Sequence, residues 1–363
     1  MNLAVFRRQT IPRVFFQPRF EPWFDWHRSF GTLPTRLAGK MVLEAYDLVG
    51  ASMRYVHYYT GQPDPVVRRF SRRVRMAETG DGDRRLVRYG TPRGELEEEF
   101  HMTVDRVWRR TGFAVKEASD LLALRWLAGE MEYRFDAGRF EAGAAFVGDR
   151  GEPSFWVPKS PYFALAQQWM RYEDFVYALA DEPATMEEIF RAIDAAYDAL
   201  YRDLVSPGGP RIVNFGENVA MAYLSLPWYE RYVLPWYQRR SGELRAAGIF
   251  THIHIDGAFR QLLPHLAAMP FDGLEALTPV PQGDVTLDEM ADAMGDKILL
   301  DGIPAVLFLA HHPREELFAC VERLVELFHP RLVLGVSDEL PEGGGEETFD
   351  RLLAVSRMCR RGP

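Results

Sequence analysis

The sequence is short of cysteine, of long apolar runs and of net positive charge, and each shortage narrows what it can be. Its two cysteines, Cys320 and Cys359, stand far apart and form no CxxC. A disulfide framework is therefore excluded, and a reducing, cytoplasmic compartment is expected. No window approaches eighteen uninterrupted apolar residues, so a membrane span is not expected. The opening MNLAVFRRQTIPRVFF places its apolar part before its basic part, the reverse of a secretory signal. A net charge of −9 speaks against nucleic acid as the main partner. The basic runs Arg68-Arg69-Phe70-Ser71-Arg72-Arg73 and Arg239-Arg240 read as solvated helix faces. No internal repeat or low-complexity segment stands out.

What is present is a soluble globular composition, 47% hydrophobic and 26% charged over 363 residues, enough to bury a large core. Eight short apolar runs are bounded by turn residues: 13–20, 53–59, 144–148, 211–218, 249–256, 273–279, 297–304 and 331–338. Between them lie helical patterns. Thr185-Met-Glu-Glu188 and Thr286-Leu-Asp-Glu289 read as capping boxes, and residues 315–328 carry an apolar stripe of Leu317, Val321, Leu324 and Leu327. Strands alternating with helices imply a parallel sheet, and eight such units predict a (β/α)₈ TIM barrel, with extra helices, formed by the whole chain as one domain. The stretch 84–113 breaks the rhythm with period-two alternation around Gly and Pro. It reads as an inserted antiparallel hairpin, expected to fold over one end of the barrel.

The segment IFTHIHID is the most informative. Residues two apart on a strand share a face, so Thr251, Ile253 and Ile255 suit the helix layer while His252, His254 and Asp256 point into the barrel. Two imidazoles at i, i+2 can converge on one ion. A hydrogen-bonded histidine pair without metal is the plain alternative. Other strand ends add Glu217, Glu275 and Asp338-Glu339. Glu275 interrupts the apolar run LEALTP, and a bare carboxylate there must be paired, liganded or turned inward.

HIHIDGAFRQLLP, EALTPVPQGDVTLDEM and LVLGVSDELP, with GENVAMAYLSLPWYERYVLPWY upstream, resemble the uroporphyrinogen decarboxylase superfamily, most clearly over residues 154–341. That resemblance implies a (β/α)₈ barrel and one of two activities. One branch decarboxylates a polyanionic tetrapyrrole without a cofactor, using arginines after the first strand and an aspartate. The other comprises zinc methyltransferases that exchange methyl groups with a corrinoid (cobalamin) protein. Their thiol-methylating members hold zinc by His-x-Cys and a late cysteine, where this sequence has His254 and Ser337-Asp338. The departure turns the resemblance toward members that demethylate ethers with a harder ligand set. Glu217 fits that pattern, whereas Glu230 is displaced from the second glutamate position.

The expectation is therefore a zinc site built from His252, His254 and a carboxylate, Glu275 or Glu217, with Asp256 orienting an imidazole and Arg19 and Asp338 at the same end. The reaction expected is methyl transfer from a small ether-like donor to a corrinoid-binding partner protein, by a monomer or homodimer. Decarboxylation is the alternative, as is a non-catalytic ligand-binding barrel. QPRFEPWFDW supplies only Arg19 for a polyanion, and Phe20, Trp23, Phe24 and Trp26 read either as an aromatic mouth or as core.

Overall fold

The computed structural model describes residues 2–9, 11–104 and 106–361. The chain divides into two compact units, Met1–Pro65 with Ala137–Val157 and Gly208–Pro363, and Val66–Asp136 with Pro158–Pro207.

The first unit is built on a parallel sheet of β1 (Phe15–Phe16), β2 (Trp156–Val157), β3 (Ile212–Val219), β4 (Phe250–Ile255), β5 (Gly273–Glu275), β6 (Ile298–Pro304) and β7 (Leu332–Ser337). Its order is β1-β7-β6-β5-β4-β3-β2. Residues 52–56 join the two ends. Ser52 N–H donates to Phe16 O (2.8 Å), and Val56 N–H and Ser154 N–H exchange bonds with Ser154 O (3.0 Å) and Arg54 O (3.1 Å). An eighth, short member thus completes the ring of a (β/α)₈ barrel. The run 144–148 is not a strand, because it ends the helix Ala137–Val147. Alanine favours helix strongly, and the strand in that place is the two-residue β2, set between Pro153 and Pro158.

Both faces of the barrel strands are covered, which explains their near-continuous apolar character. Helices such as Leu234–Ala246, Arg314–Phe328 and Gly345–Arg360 form the outer layer. The helix Asn2–Phe6 contributes Leu3, Val5 and Phe6 to a cluster with Phe15, Ile212, Ile298, Leu300 and Val333 at the N-terminal end of the strands. The Thr286–Glu289 capping box forms. The Thr185–Glu188 box does not: Pro183 starts that helix two residues earlier, so Thr185 lies inside Pro183–Ala196. No helix among the described residues is long and apolar enough to cross a membrane.

The second unit contains an antiparallel sheet of four strands, Arg75–Asp81, Arg84–Thr91, Gly94–Met102 and Trp108–Gly112. The predicted hairpin at 84–113 covers three of them. Arg68 lies on the strand Val66–Phe70 and not on a solvated helix face; its guanidinium packs over Phe70 and Trp169 at 5.2 and 5.4 Å. The strand reads VVRRF, and its paired arginines read in the sequence as a helical charge run.

One position shows how tightly the barrel interior is filled. A Cβ on Gly335 of β7 would meet Asp301 Oδ1 at 2.4 Å and the Gln17 carbonyl oxygen at 2.5 Å. Gly335→Ala is expected to lower stability by about 1–3 kcal/mol through overpacking, read as a lower urea midpoint with an unchanged slope. A midpoint equal to that of the parent would contradict this packing.

Candidate functional site

The C-terminal halves of the barrel strands carry the ionisable residues. Glu275 on β5 and Asp301 on β6 have no exposed surface. Carboxylates so placed are costly unless paired, and two arginines pair them. Arg54, from residues 52–56, reaches Glu275 Oε1 at 2.9 Å and Asp301 Oδ1 at 2.8 Å. Arg19, just beyond β1, lies 3.3 Å from Glu275 Oε1 and 3.4 Å from Asp301 Oδ2. It also donates to the Asp338 carbonyl oxygen at 2.7 Å. Gln17 accepts from Arg54 Nε at 2.6 Å and donates to Met53 O at 2.8 Å.

Glu275 has further donors. Tyr55 Oη lies 2.7 Å from both of its oxygens, and Asn214 Nδ2 donates to Oε2 at 2.6 Å. His252 Nδ1 is 2.8 Å from Oε2, and His254 Nδ1 is 3.6 Å from Oε1. Burial alone would raise the Glu275 pKa, but Arg54, Arg19 and His252 outweigh it and hold the carboxylate well below its ordinary range. Burial pushes the His252 imidazole downward against the pull of Glu275, so it is neutral.

Outward of this layer the balance reverses. His254, Asp256 and Asp338 place one ligand atom each within 4.8 Å of the others. Burial raises the Asp338 pKa, and the neighbouring Asp256 charge raises it further, against the pull of His254 and Arg19. Burial likewise raises Glu339. One nitrogen and two carboxylates leave a zinc-type site an open position, and the donor set fits such an ion.

Of the residues singled out in the sequence, His252, His254, Glu275 and Arg19 meet in one cluster, with Asp256 and Asp338 next to it. Glu217 does not join them. On β3 Asn214 faces the cluster, whereas Phe215 packs on Trp236 and Tyr237 of the outer helix and Glu217, two residues on, lies beside Tyr237 as well. Arg19 is spent on buried carboxylates instead of facing a substrate. Phe20, Trp23 and Phe24 are core, at 0–1% exposure, with Phe20 stacked on Tyr46 and Trp23 on Phe349. Sequence reasoning missed Arg54, Asp301, Tyr55 and Asn214. Asp301 in KILLDGIP and Arg54 in MRYVHYY carry the signal that exposed Glu275, a charge interrupting an apolar strand.

No protein-family model matches the sequence, and no curated protein matches it. Among solved structures, the chain is similar to a methyltransferase from Methanosarcina mazei, with a TM-score of 0.59 at 13% identity over 98% of this chain and 97% of that one. A B12-independent methionine synthase from a Shewanella species aligns with a TM-score of 0.45 at 12% identity, over 92% of this chain and 88% of that one. At 13% identity the first likeness is one of fold.

Because the folded Glu275 stays ionised below its ordinary value of 4.5, the unfolded chain binds that proton first as pH falls. Its contribution is present above about pH 4.5 and is lost on further acidification. Arg54→Met leaves two buried carboxylates short of a partner, so a loss of about 3–5 kcal/mol at neutral pH is expected. The acid-side slope attributable to Glu275 should also flatten. Urea unfolding from pH 7 to pH 3.5 measures both, and an undiminished slope in the variant would assign it elsewhere.

Proposed function

We propose that the protein is a methyltransferase in which His254, Asp256 and Asp338 hold a zinc ion at the C-terminal mouth of the barrel. The donor in this reading is a small molecule with an ether-like methyl group, and the acceptor is the corrinoid of a partner protein. The observation that carries it is the uncompensated acid pair beside His254: neither Asp256 nor Asp338 makes an ion pair with a cationic side chain among the described residues. A barrel likeness to a methyltransferase at 13% identity agrees with the reaction class, and active sites of such barrels lie at this end of the strands.

When bound, zinc supplies a Lewis acid for the donor heteroatom as the methyl group leaves. The chain's own residues do the rest. Asp256 and Asp338 provide anionic ligands, and His254 a neutral one. Glu275, already saturated by Tyr55, Asn214 and Arg54, lies 2.8 Å from His252 Nδ1. His252 in turn fills the space beneath His254 as a neutral group. Both arginines are neutralised inside the barrel, so a polyanionic tetrapyrrole would face Asp256, Asp338 and Glu339 with neither Arg19 nor Arg54 free to pair with it. That weighs against the carboxy-lyase alternative.

Metal analysis of the purified protein tests the assignment. Equimolar zinc is expected in the parent, in Glu217→Gln and in Glu275→Gln, and its loss in His254→Ala and Asp338→Asn. Methyl transfer to a corrinoid protein should fall by more than the roughly 10–100-fold typical of residues that only support a ligand. Zinc kept in Asp338→Asn but lost in Glu275→Gln would move the metal to the inner cluster. Release of carbon dioxide from a porphyrinogen by metal-free protein would overturn the reading.

A further inference from the structure

The antiparallel sheet of the second unit ends in the strand Arg75–Asp81, which pairs with Arg84–Thr91 on one side and, among the described residues, with no strand on the other. All seven of its residues are exposed, on both faces of the sheet, and Met76 is 50% exposed. The buried side chains of this sheet, Val87, Tyr89, Leu96 and Glu98, belong to the inner strands. An edge of this length offers a row of open N–H and C=O groups to any second strand.

Natural edges are commonly guarded by charge, and this one carries Arg75, Glu78 and Asp81. Their state differs along the strand. Glu78, in the middle, is neutralised within the chain by Arg85 at 2.9 Å. Arg75 and Asp81, at the two ends, make no ion pair among the described residues. The sequence RMAETGD is thus self-complementary when reversed.

We propose that Arg75–Asp81 pairs antiparallel with the same strand of a second copy of this chain, about a two-fold axis through Glu78. In that register Arg75 lies opposite Asp81 of the other copy, twice by symmetry, which is the isologous pattern of a two-fold dimer. Met76 lies opposite Gly80, where no Cβ obstructs its long side chain. Ala77 faces Thr79, and each Glu78 keeps its own Arg85. Sliding the strands by two residues preserves the faces but removes both Arg–Asp pairs, so charge fixes the register. Main-chain hydrogen bonds supply the affinity and the side chains the alignment, as in other strand-addition interfaces. The two sheets merge into one of eight strands.

Sedimentation of the full-length chain, with charge exchange, tests this. The parent is expected to dimerise. Arg75→Asp and Asp81→Arg, each placing like charges opposite one another, should weaken dimerisation by about tenfold or more. The double variant Arg75→Asp/Asp81→Arg restores the pairs in reverse and should regain the parent's affinity. Hydrogen exchange, which needs no substitution, should show amides of residues 75–81 slowing as protein concentration rises. A monomeric parent, a dimer indifferent to the single exchanges, a double variant as weak as the singles, or exchange independent of concentration would each overturn the proposal.

Discussion

Two carboxylates with no access to water sit in the middle of the barrel, and the interior is arranged around neutralising them. Glu275 and Asp301 would each be expensive to ionise alone in such a place. Arg54 contacts both, Arg19 contacts both, and the four charges sum to zero. The remaining donors, Tyr55 and Asn214, are aimed at Glu275, while Gln17 orients Arg54. A network of this kind is weak evidence for extra stability over an apolar core of equal volume. It does make the geometry singular, because each group has one partner set and a shifted strand would strand a charge.

That inner neutrality decides what the outer layer can do. With both guanidinium groups turned inward, neither Asp256 nor Asp338 has a cationic ion-pair partner among the described residues, and the Asp256 charge adds to the burial that raises the Asp338 pKa. A divalent cation relieves that cost of ionisation most directly, and His254 supplies the nitrogen such an ion favours. The same partition separates the two histidines of one strand. His252, buried on Glu275, is a fixed neutral group, whereas His254 stands at the rim with an acid on either side.

The barrel was legible because its strands are bounded apolar runs with helical segments between them, and because His252, His254 and Glu275 break those runs with charge. The third strand was not. AAFVG has the look of a strand, yet its alanines continue a helix, and the true strand is only Trp156 and Val157, too short to show a period. Glu217 was misplaced for a different reason: it was chosen for its place at a strand end and for the resemblance, whereas alternation along β3 puts it with Phe215 against Tyr237 of the outer helix. Arg54 and Asp301 carried a readable signal. Their partnership, between residues 247 positions apart, exists only once the ring is closed. Arg68 marks the reverse error, a basic run taken for a helix face whose guanidinium is packed on aromatic rings.

The backbone at the strand ends shows how the charges are brought together. Arg19, Asn218, Ala276, Asp301 and Asp338 all adopt positive φ, between 48° and 79°, a region that side chains with a Cβ enter at some cost. Arg19, Asn218, Ala276 and Asp338 follow or end a barrel strand on the side where the ionisable groups lie, while Asp301 sits in the middle of β6. Regular alternation would send Asp301 to the helix layer, since its neighbour Leu300 already faces the interior cluster. The left-handed turn at Asp301 sends its carboxylate inward instead, into the space that Gly335 leaves open. Strain concentrated at one end of the sheet is thus the means by which consecutive residues converge, and it persists because the ion pairs it creates hold it in place.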